Sequence, residues 1–469
     1  MAAAGNTPTE LGTKKVSTLL RQYAVPGIIA MTASSLYNMV DSIYIGHIPD
    51  VGPYAISALA ICSPLMNLGA ALGTLVGVGA STILSILLGQ NNYAVARKVL
   101  SNEVTLNVIL GLLFTLVTLP FLNPILYFFG ASANTLPFAR DYIVIILLGN
   151  VFTHLYFGLN SMIRAAGNPR LSMNLTIFTV VSNAVLDPIF IYVLDMGIRG
   201  AAIATVLCQF TALAWTWKYF MKKDNFLHFP KGVFGLDWRV AKDSLAIGMG
   251  PFLMNSAACI VALFINQQLR KYGGDLSLGA YGIANRITFF FLMIVVGLNH
   301  GMQPIAGYNY GARKYSRVRK IYFLTASWAT LVTVAGYIIS EVFPGPASAL
   351  FTNDPTLKDL AANCLKKMNV LFFIVGFQMV STNFFQSLGM VGRSILLSLS
   401  RQLLFLVPLV WVLPRTFGID GVWYSFPASD LLAATLTLIL LIPLLRKFSA
   451  LKDGEDTATT DNITDDITG

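Results

Sequence analysis

Two acidic residues stand inside stretches of sequence that are otherwise apolar enough to cross a membrane. Asp41 lies in LYNMVDSIYIGHI, residues 36–48, and Asp187 lies in VVSNAVLDPIFIY, residues 180–192. An isolated aspartate near the centre of a bilayer costs about 2.5–3.5 kcal/mol on insertion scales. A partner, a proton or an ion must compensate this cost, so we predict that both aspartates are functional.

Other polar residues accompany the two acids at helical spacing, three or four positions apart, so that they share helix faces. Pro188 has no amide hydrogen and leaves a backbone carbonyl one turn earlier free. Oxygen atoms of these kinds suit a hard cation, and two neighbouring carboxylates can instead share a proton. For the amides and the hydroxyl alone, hydrogen bonding between helices is the alternative. The residues with this spacing are Asn38, Asp41, Asn183, Asp187, Thr205 and Gln209.

The elements that must position these residues are membrane-spanning helices. The 469-residue chain is 55% hydrophobic and 12% charged, against roughly 45–50% and 25% in soluble proteins. Apolar runs long enough to span about 30 Å of hydrocarbon as helices recur along the sequence. These runs are residues 23–46, 55–88, 102–126, 141–163, 173–194, 198–220, 244–268, 278–306, 321–343, 368–388, 395–413 and 421–445. The predicted fold class is an all-α integral membrane protein with twelve transmembrane helices.

The distribution of basic residues predicts the orientation in the membrane. The net charge is +10, and most of the 32 Lys and Arg residues fall in alternate connections and the two ends of the chain. Because cytoplasmic segments of membrane proteins are enriched in Lys and Arg, we expect a multi-pass protein with both termini in the cytoplasm. The basic charge is thereby explained without nucleic acid, and we expect no nucleic-acid partner.

The chain contains an internal duplication, visible as matches at a nearly constant offset. Gly79 pairs with Gly301, and Gly89 pairs with Gly311. Each half holds six apolar runs, so both halves enter the membrane from the same side, as in two-lobed transporters. In the second half, Asn266 stands opposite Asp41, so the acids belong to the first half. The predicted parts are a cytoplasmic N-terminal segment (1–20), an N-terminal six-helix bundle (21–220), a cytoplasmic linker (221–242), a C-terminal six-helix bundle (243–447) and a disordered acidic cytoplasmic tail (448–469).

Five sequence segments together resemble the MATE (multidrug and toxic compound extrusion) family, with acids placed as in its DinF-like branch. They are YNMVDSIYIG (37–46), IRAAGN (163–168), NAVLDPIFIY (183–192), GIRGAAIAT (197–205) and GMQPIAGYNYGAR (301–313). The resemblance, over residues 15–447, implies a MATE-like fold of two pseudo-symmetric bundles. It also implies export of organic, often cationic compounds in exchange for H⁺ or Na⁺ across a bacterial cytoplasmic membrane. The implied cation site is Asp41, Asn183, Asp187 and Thr205, with Asn38, Tyr142 and Asn160 as neighbours.

The substrate is expected to bind in an apolar and aromatic cavity, because flexible thioethers and aromatic rings accommodate varied and cationic ligands. The candidate contacts are Met162, Met254, Phe289, Met293, Met302 and Gln303. His300, alone in an apolar run, is predicted to be hydrogen-bonded and structural, with a proton-carrying role as the alternative.

Two other functions compete with ion-coupled export. A lipid-linked saccharide flippase would need several cationic side chains for pyrophosphate, whereas only Arg286 and Arg401 fall within the spans. An enzyme is not expected, because no HExxH or GxSxG motif occurs. We expect no cofactor and no metal apart from the coupling ion, H⁺ or Na⁺. The expected partners of a monomeric protein are small organic substrates and the lipid bilayer.

Overall fold

The computed structural model describes residues 9–46, 48, 52–222, 225, 227–229, 232–351 and 354–454. Within these residues the secondary structure is helical and contains no strand. Ten helices there are long and apolar enough to cross a membrane, and a bent pair makes an eleventh. With Val16–Gly46 at the start, they account for the predicted twelve, and the all-α membrane fold is confirmed.

The membrane helices are numbered in chain order, and short helices at Thr9–Thr13, Leu122–Phe128 and Pro344–Ala349 lie outside this numbering. They are α1 (Val16–Gly46), α2 (Gly52–Gly89), α3 (Tyr93–Thr118), α4 (Leu136–Ala165), α5 (Pro169–Val193), α6 (Gly197–Met221), α7 (Trp238–Gly274), α8 (Leu276–Gly311), α9 (Tyr315–Val342), α10 (Pro355–Met368 with Phe372–Ser387), α11 (Val391–Phe417) and α12 (Ile419–Ala450).

Several of these helices depart from regular α-helical geometry, and α11 contains a π-helical segment, Ser400–Leu406. Gly274 ends α7 with φ 71° and ψ −172°, a conformation that only glycine adopts readily. In α5, Pro188 removes a backbone donor and is followed by a π-helical turn, Ile189–Val193. Such turns often mark functional positions in helices. The two segments of α10 meet at an angle of 55°.

The described chain forms two compact units. The first contains residues 29–252 together with residues 9–11, and the second contains residues 12–28 and residues from 253 onward. Each unit has its own apolar core. Ile143, Leu147 and Ala201 belong to the core of the first unit, and Leu365 and Trp423 to that of the second.

Part of the predicted linker is attached to the first unit. The amide of Asp237 donates to Asn102 Oδ1 at 2.9 Å, and the Thr105 hydroxyl donates to the carbonyl of Gly235 at 3.3 Å. The Lys98 ammonium lies 3.7 Å from the Asp237 carboxylate. These contacts hold residues 232–237 against α3.

Removing the Asn102 side chain is expected to loosen this segment. Asn102→Ala deletes the acceptor of the Asp237 amide, a hydrogen bond that contributes about 1 kcal/mol, so the segment should open about fivefold more often. Hydrogen exchange of residues 232–237 measures this opening. Ser327→Ala is the control, since that exposed hydroxyl bonds only within its own helix. Equal exchange rates in Asn102→Ala and the parent protein would contradict the anchoring.

Candidate functional site

The two membrane aspartates are neighbours in the first unit. Asp41 is 7% exposed near the end of α1, and Asp187 is fully buried in α5, just before Pro188. Their carboxyl groups lie close enough to interact directly. Among the described residues, none forms a hydrogen bond of good geometry with Asp41 Oδ1 or with either oxygen of Asp187. In the described part of the chain, the two acids therefore face each other without a cationic side chain to balance them.

An amide and a hydroxyl complete this cluster. Asn183 lies one helical turn before Asp187 and contacts its carboxyl group, as the four-residue spacing predicts. Its Nδ2 atom donates to Thr205 Oγ1 in α6 at 3.3 Å. The structure thus brings together the four predicted residues, Asp41, Asn183, Asp187 and Thr205. Their role in binding a cation stays a prediction.

The cluster borders a cavity of about 540 Å³ that lies between helices of the first unit. Asp41, Asn183 and Thr205 line this cavity, which is within the range of roughly 300–1,000 Å³ typical of small-molecule sites. Most other lining groups are apolar or aromatic. They include Met31, Met66, Phe114, Ile146, Leu147, Tyr156 and Phe157. An amphiphilic organic molecule fits the chemistry of these walls.

The predicted neighbours of the cation site lie at different places. Tyr142 is buried and lines the cavity. Asn160 does not line it but donates to Thr176, which does, at 3.3 Å. The side chain of Asn38 lies outside those that the structure describes.

The predicted substrate contacts do not line this cavity. Met162 is buried elsewhere in the first unit, while the others belong to the second unit. There Met302 and Gln303 are buried, and Phe289 is 45% exposed. The predicted substrate contacts in the second unit are Met254, Phe289, Met293, Met302 and Gln303. Their role in substrate binding stays a prediction for the second unit.

His300 lies in α8, partly buried, where its β-carbon approaches Gly27. His300→Gln is expected to keep most transport activity and its pH dependence, because an amide can replace the hydrogen bonds of a neutral imidazole. The measurement is dye efflux from proteoliposomes as a function of pH. A shift of the pH optimum by about one unit would instead identify His300 as a proton carrier.

Sequence reasoning missed two buried titratable side chains, Glu103 in α3 and His154 in α4, both fully inaccessible to solvent. The signal for Glu103 was present, since it is an acid in an apolar run with an amide, Asn107, four residues later. The surroundings of His154 depend on which neighbouring helix faces it. Residue spacing within one segment does not show this.

A cavity with a buried acid in its wall and a second acid beside the first, inside a bundle of membrane-spanning helices, is the architecture of a membrane transporter. The sequence model of the MatE family matches residues 26–189 and 247–412, so the chain belongs to the MatE family. The predicted family resemblance is confirmed.

Similar proteins agree with this assignment. Multidrug export protein MepA of Staphylococcus aureus (strain MSSA476) is 29% identical over 91% of this chain and 93% of its own length. The protein of that name from Staphylococcus haemolyticus (strain JCSC1435) is 29% identical over 92% and 94%.

Solved structures extend the similarity to the fold. The MATE multidrug transporter DinF-BH, in complex with rhodamine 6G, has a TM-score of 0.87 and 33% identity, covering 96% of this chain and 100% of that one. An outward-facing multidrug resistance MATE family transporter has a TM-score of 0.88 at 23% identity, with the same coverage. The second similarity, at lower identity, shows the fold alone.

Proposed function

We propose that this protein is a cation-coupled antiporter, driven by H⁺ or Na⁺, that exports amphiphilic and often cationic organic compounds by alternating access. The observation that carries the proposal is the Asp41–Asp187 pair, of which Asp41 lines the cavity. Two adjacent carboxylates in an apolar interior repel each other and lose hydration. Binding a proton or Na⁺ relieves both costs, so the energy of the cluster depends on ion occupancy.

This dependence couples the ion to the conformation. An ion shifts a two-state equilibrium only by its difference in affinity for the two states, and each tenfold difference supplies about 1.4 kcal/mol. Pro188 and the π-helical turn after it lie directly beside Asp187. We infer that α5 changes its bend as the carboxyl pair gains or loses its ion. The sequence-predicted bundles, 21–220 and 243–447, would then rock against each other.

The same cavity provides the exchange step. The cavity has mostly apolar and aromatic walls, which suit an organic cation with a large apolar surface. When the inward-moving ion neutralises the acids, the conformational equilibrium shifts, and the organic cation leaves on the side to which the cavity then opens. The names of the MepA relatives and the rhodamine 6G complex of DinF-BH support this substrate class.

For the flippase alternative, only two arginines in the membrane spans could bind phosphate, and one of them is already paired with a carboxylate. Arg401 Nε donates to Asp430 Oδ1 at 2.6 Å, and the Asp430 side chain is nearly buried. A guanidinium already paired with a carboxylate is a poor site for a pyrophosphate.

The test is rhodamine 6G efflux from proteoliposomes in which pH and Na⁺ gradients are imposed separately. Efflux accelerated by at least one inward gradient, with the ion moving inward as dye leaves, is the expected result. Efflux at equal rates with and without either gradient would contradict antiport. We also propose that the protein is a monomer in a bacterial cytoplasmic membrane, with both termini in the cytoplasm. Protease accessibility of the termini in the same vesicles tests this orientation.

A further inference from the structure

A second group of buried polar side chains lies between α2, α3 and α4, apart from the Asp41 cluster. Asn107 Nδ2 donates to Glu103 Oε1 at 2.6 Å, one helical turn along α3. On α4, Asn150 and His154 are also one turn apart, and Asn150 lines the cavity. Glu103, Asn107 and His154 are completely buried, and Asn150 is 5% exposed. The group therefore extends from the interior of α3 to the cavity wall.

Glycines let α3 and α4 approach closely at these side chains, and His154 lies one helical turn before Gly158. A β-carbon on Gly158 of α4 would collide with Glu103 Oε1, so Glu103 lies directly against the α4 backbone. One turn away, a β-carbon on Gly111 of α3 would lie 3.4 Å from His154 Nδ1. On the other side, a β-carbon on Gly73 of α2 would lie 3.2 Å from His154 Cδ2. Three helices thus enclose the imidazole between the α3 polar face and α2.

Several atoms of this group have no hydrogen-bond partner among the described residues. They are Glu103 Oε2, Asn107 Oδ1 and Asn150 Nδ2. The His154 imidazole lies beside the backbone of Gly69, and at most one of its ring nitrogens is satisfied there. Leaving a buried polar atom unpaired costs roughly 1–3 kcal/mol. Such a concentration of unpaired donors and acceptors around an acid and a base is unexpected in a purely structural contact. It is expected of groups that exchange a proton.

No charged side chain of the surrounding helices compensates Glu103 in the described structure. Residues 63–89 of α2 contain no acidic or basic side chain. On α3 the other charged groups, Arg97 and Lys98, precede it near the helix start. On α4, Tyr156 lies beside His154, and Arg164 in the last turn donates to the Ser161 hydroxyl at 3.4 Å. The start of α7 packs on α3 through Ala241. Its charged groups are the exposed Arg239 and Lys242 and the partly buried Asp243.

We propose that Glu103 and His154 form a second proton-binding site of the first unit, which opens to the substrate cavity at Asn150. The pair carries no net charge when it holds one proton, either on the carboxyl group or, after transfer to the imidazole, as a carboxylate and an imidazolium. Release of that proton from His154 toward the cavity leaves the pair with one negative charge, and uptake restores neutrality. This proposal rests on the proposed antiport function and adds a proton to its coupling ions.

Infrared difference spectroscopy of the purified full-length protein at varied pH tests the site without requiring transport. The sequence contains only Glu10, Glu103, Glu341 and Glu455 as glutamates, and Glu341 faces Lys366 at 3.8 Å near the end of α9. Glutamate labelled with ¹³C at its carboxyl group therefore shifts the infrared band of a protonated buried Glu103 while leaving aspartates unchanged. We expect such a labelled band to disappear reversibly as pH rises.

Variants assign the band and separate this proposal from the proposed function. Glu103→Gln should remove the band and slow proton-driven rhodamine 6G efflux about tenfold, while His154→Gln should move the pH midpoint of the band by about one unit. Asp41→Asn should keep the band although it stops coupled efflux. Where Glu103→Gln is poorly folded, the labelled parent protein and His154→Gln carry the test.

Two results would overturn the second site. One is the absence of any labelled protonated band that titrates with pH. The other is a band that His154→Gln leaves unchanged. A titrating band in a protein that shows no ion-driven efflux would reject antiport while keeping the proton site, so the two failures are distinguishable.

Discussion

Replacing Asp41 or Asp187 by asparagine is expected to abolish most ion-driven export while substrate binding stays close to that of the parent protein. The amide keeps the shape of the side chain but cannot take up a proton and is a weaker ligand for Na⁺. The conformational equilibrium then no longer depends on the ion. If the ion affinity differs about a hundredfold between states, the variant loses about 2.7 kcal/mol of bias.

Rhodamine 6G efflux and equilibrium binding, measured at equal protein levels, separate coupling from binding. Glu341→Gln is the matched control, because Glu341 pairs at 3.8 Å with Lys366, whose side chain is 57% exposed. Pairs of that kind contribute about 0–1 kcal/mol, so this variant should stay active. Normal coupled efflux by Asp41→Asn would place the coupling site elsewhere. Loss of dye binding in both aspartate variants would show that the acids hold the substrate instead.

The helical membrane fold could be predicted from the sequence because a bilayer leaves few alternatives. Apolar runs of spanning length must be helices, since no other open backbone structure satisfies its hydrogen bonds in hydrocarbon. Details that depend on packing were not predictable. The bend of α10 and the attachment of residues 232–237 to Asn102 arise from contacts between segments far apart in sequence. Local patterns carry no information about such contacts.

The site likewise contains residues that the local sequence predicts and residues whose position depends on packing between helices. Asp41, Asn183, Asp187 and Thr205 could be selected because intramembrane acids are rare and their polar neighbours repeat at helical spacing. The cavity walls could not, because aromatic side chains occur in every membrane helix and spacing alone does not show which of them face the cavity. Glu103 could have been selected by the criterion that found Asp41, whereas the place of His154 follows only from the glycines that surround it.

The other large effect concerns the crossing of α2 with the start of α7, where backbone meets backbone within the first unit. A β-carbon on Gly79 would collide with the carbonyl of Ser244, and one on Gly248 would collide with the carbonyl of Leu75. Each helix contributes one glycine, and the contacts are reciprocal. Because backbone atoms cannot rotate away as side chains do, a single added methyl group must push the helices apart.

Gly79→Ala and Gly248→Ala are each expected to destabilise the protein by about 1–3 kcal/mol, the usual cost of overpacking. The midpoint of thermal unfolding should fall by roughly 2–4 °C for each kcal/mol, by the scaling of domains of 150–250 residues. Gly282→Ala, where a β-carbon meets no atom within 4 Å, should leave the midpoint nearly unchanged. The double variant sharpens the test. Once one methyl group has separated the helices, the second meets less resistance. The double variant should therefore lose less stability than the sum of the losses in the two single variants. Strict additivity, or single variants as stable as Gly282→Ala, would show that α2 and α7 do not pack through these glycines.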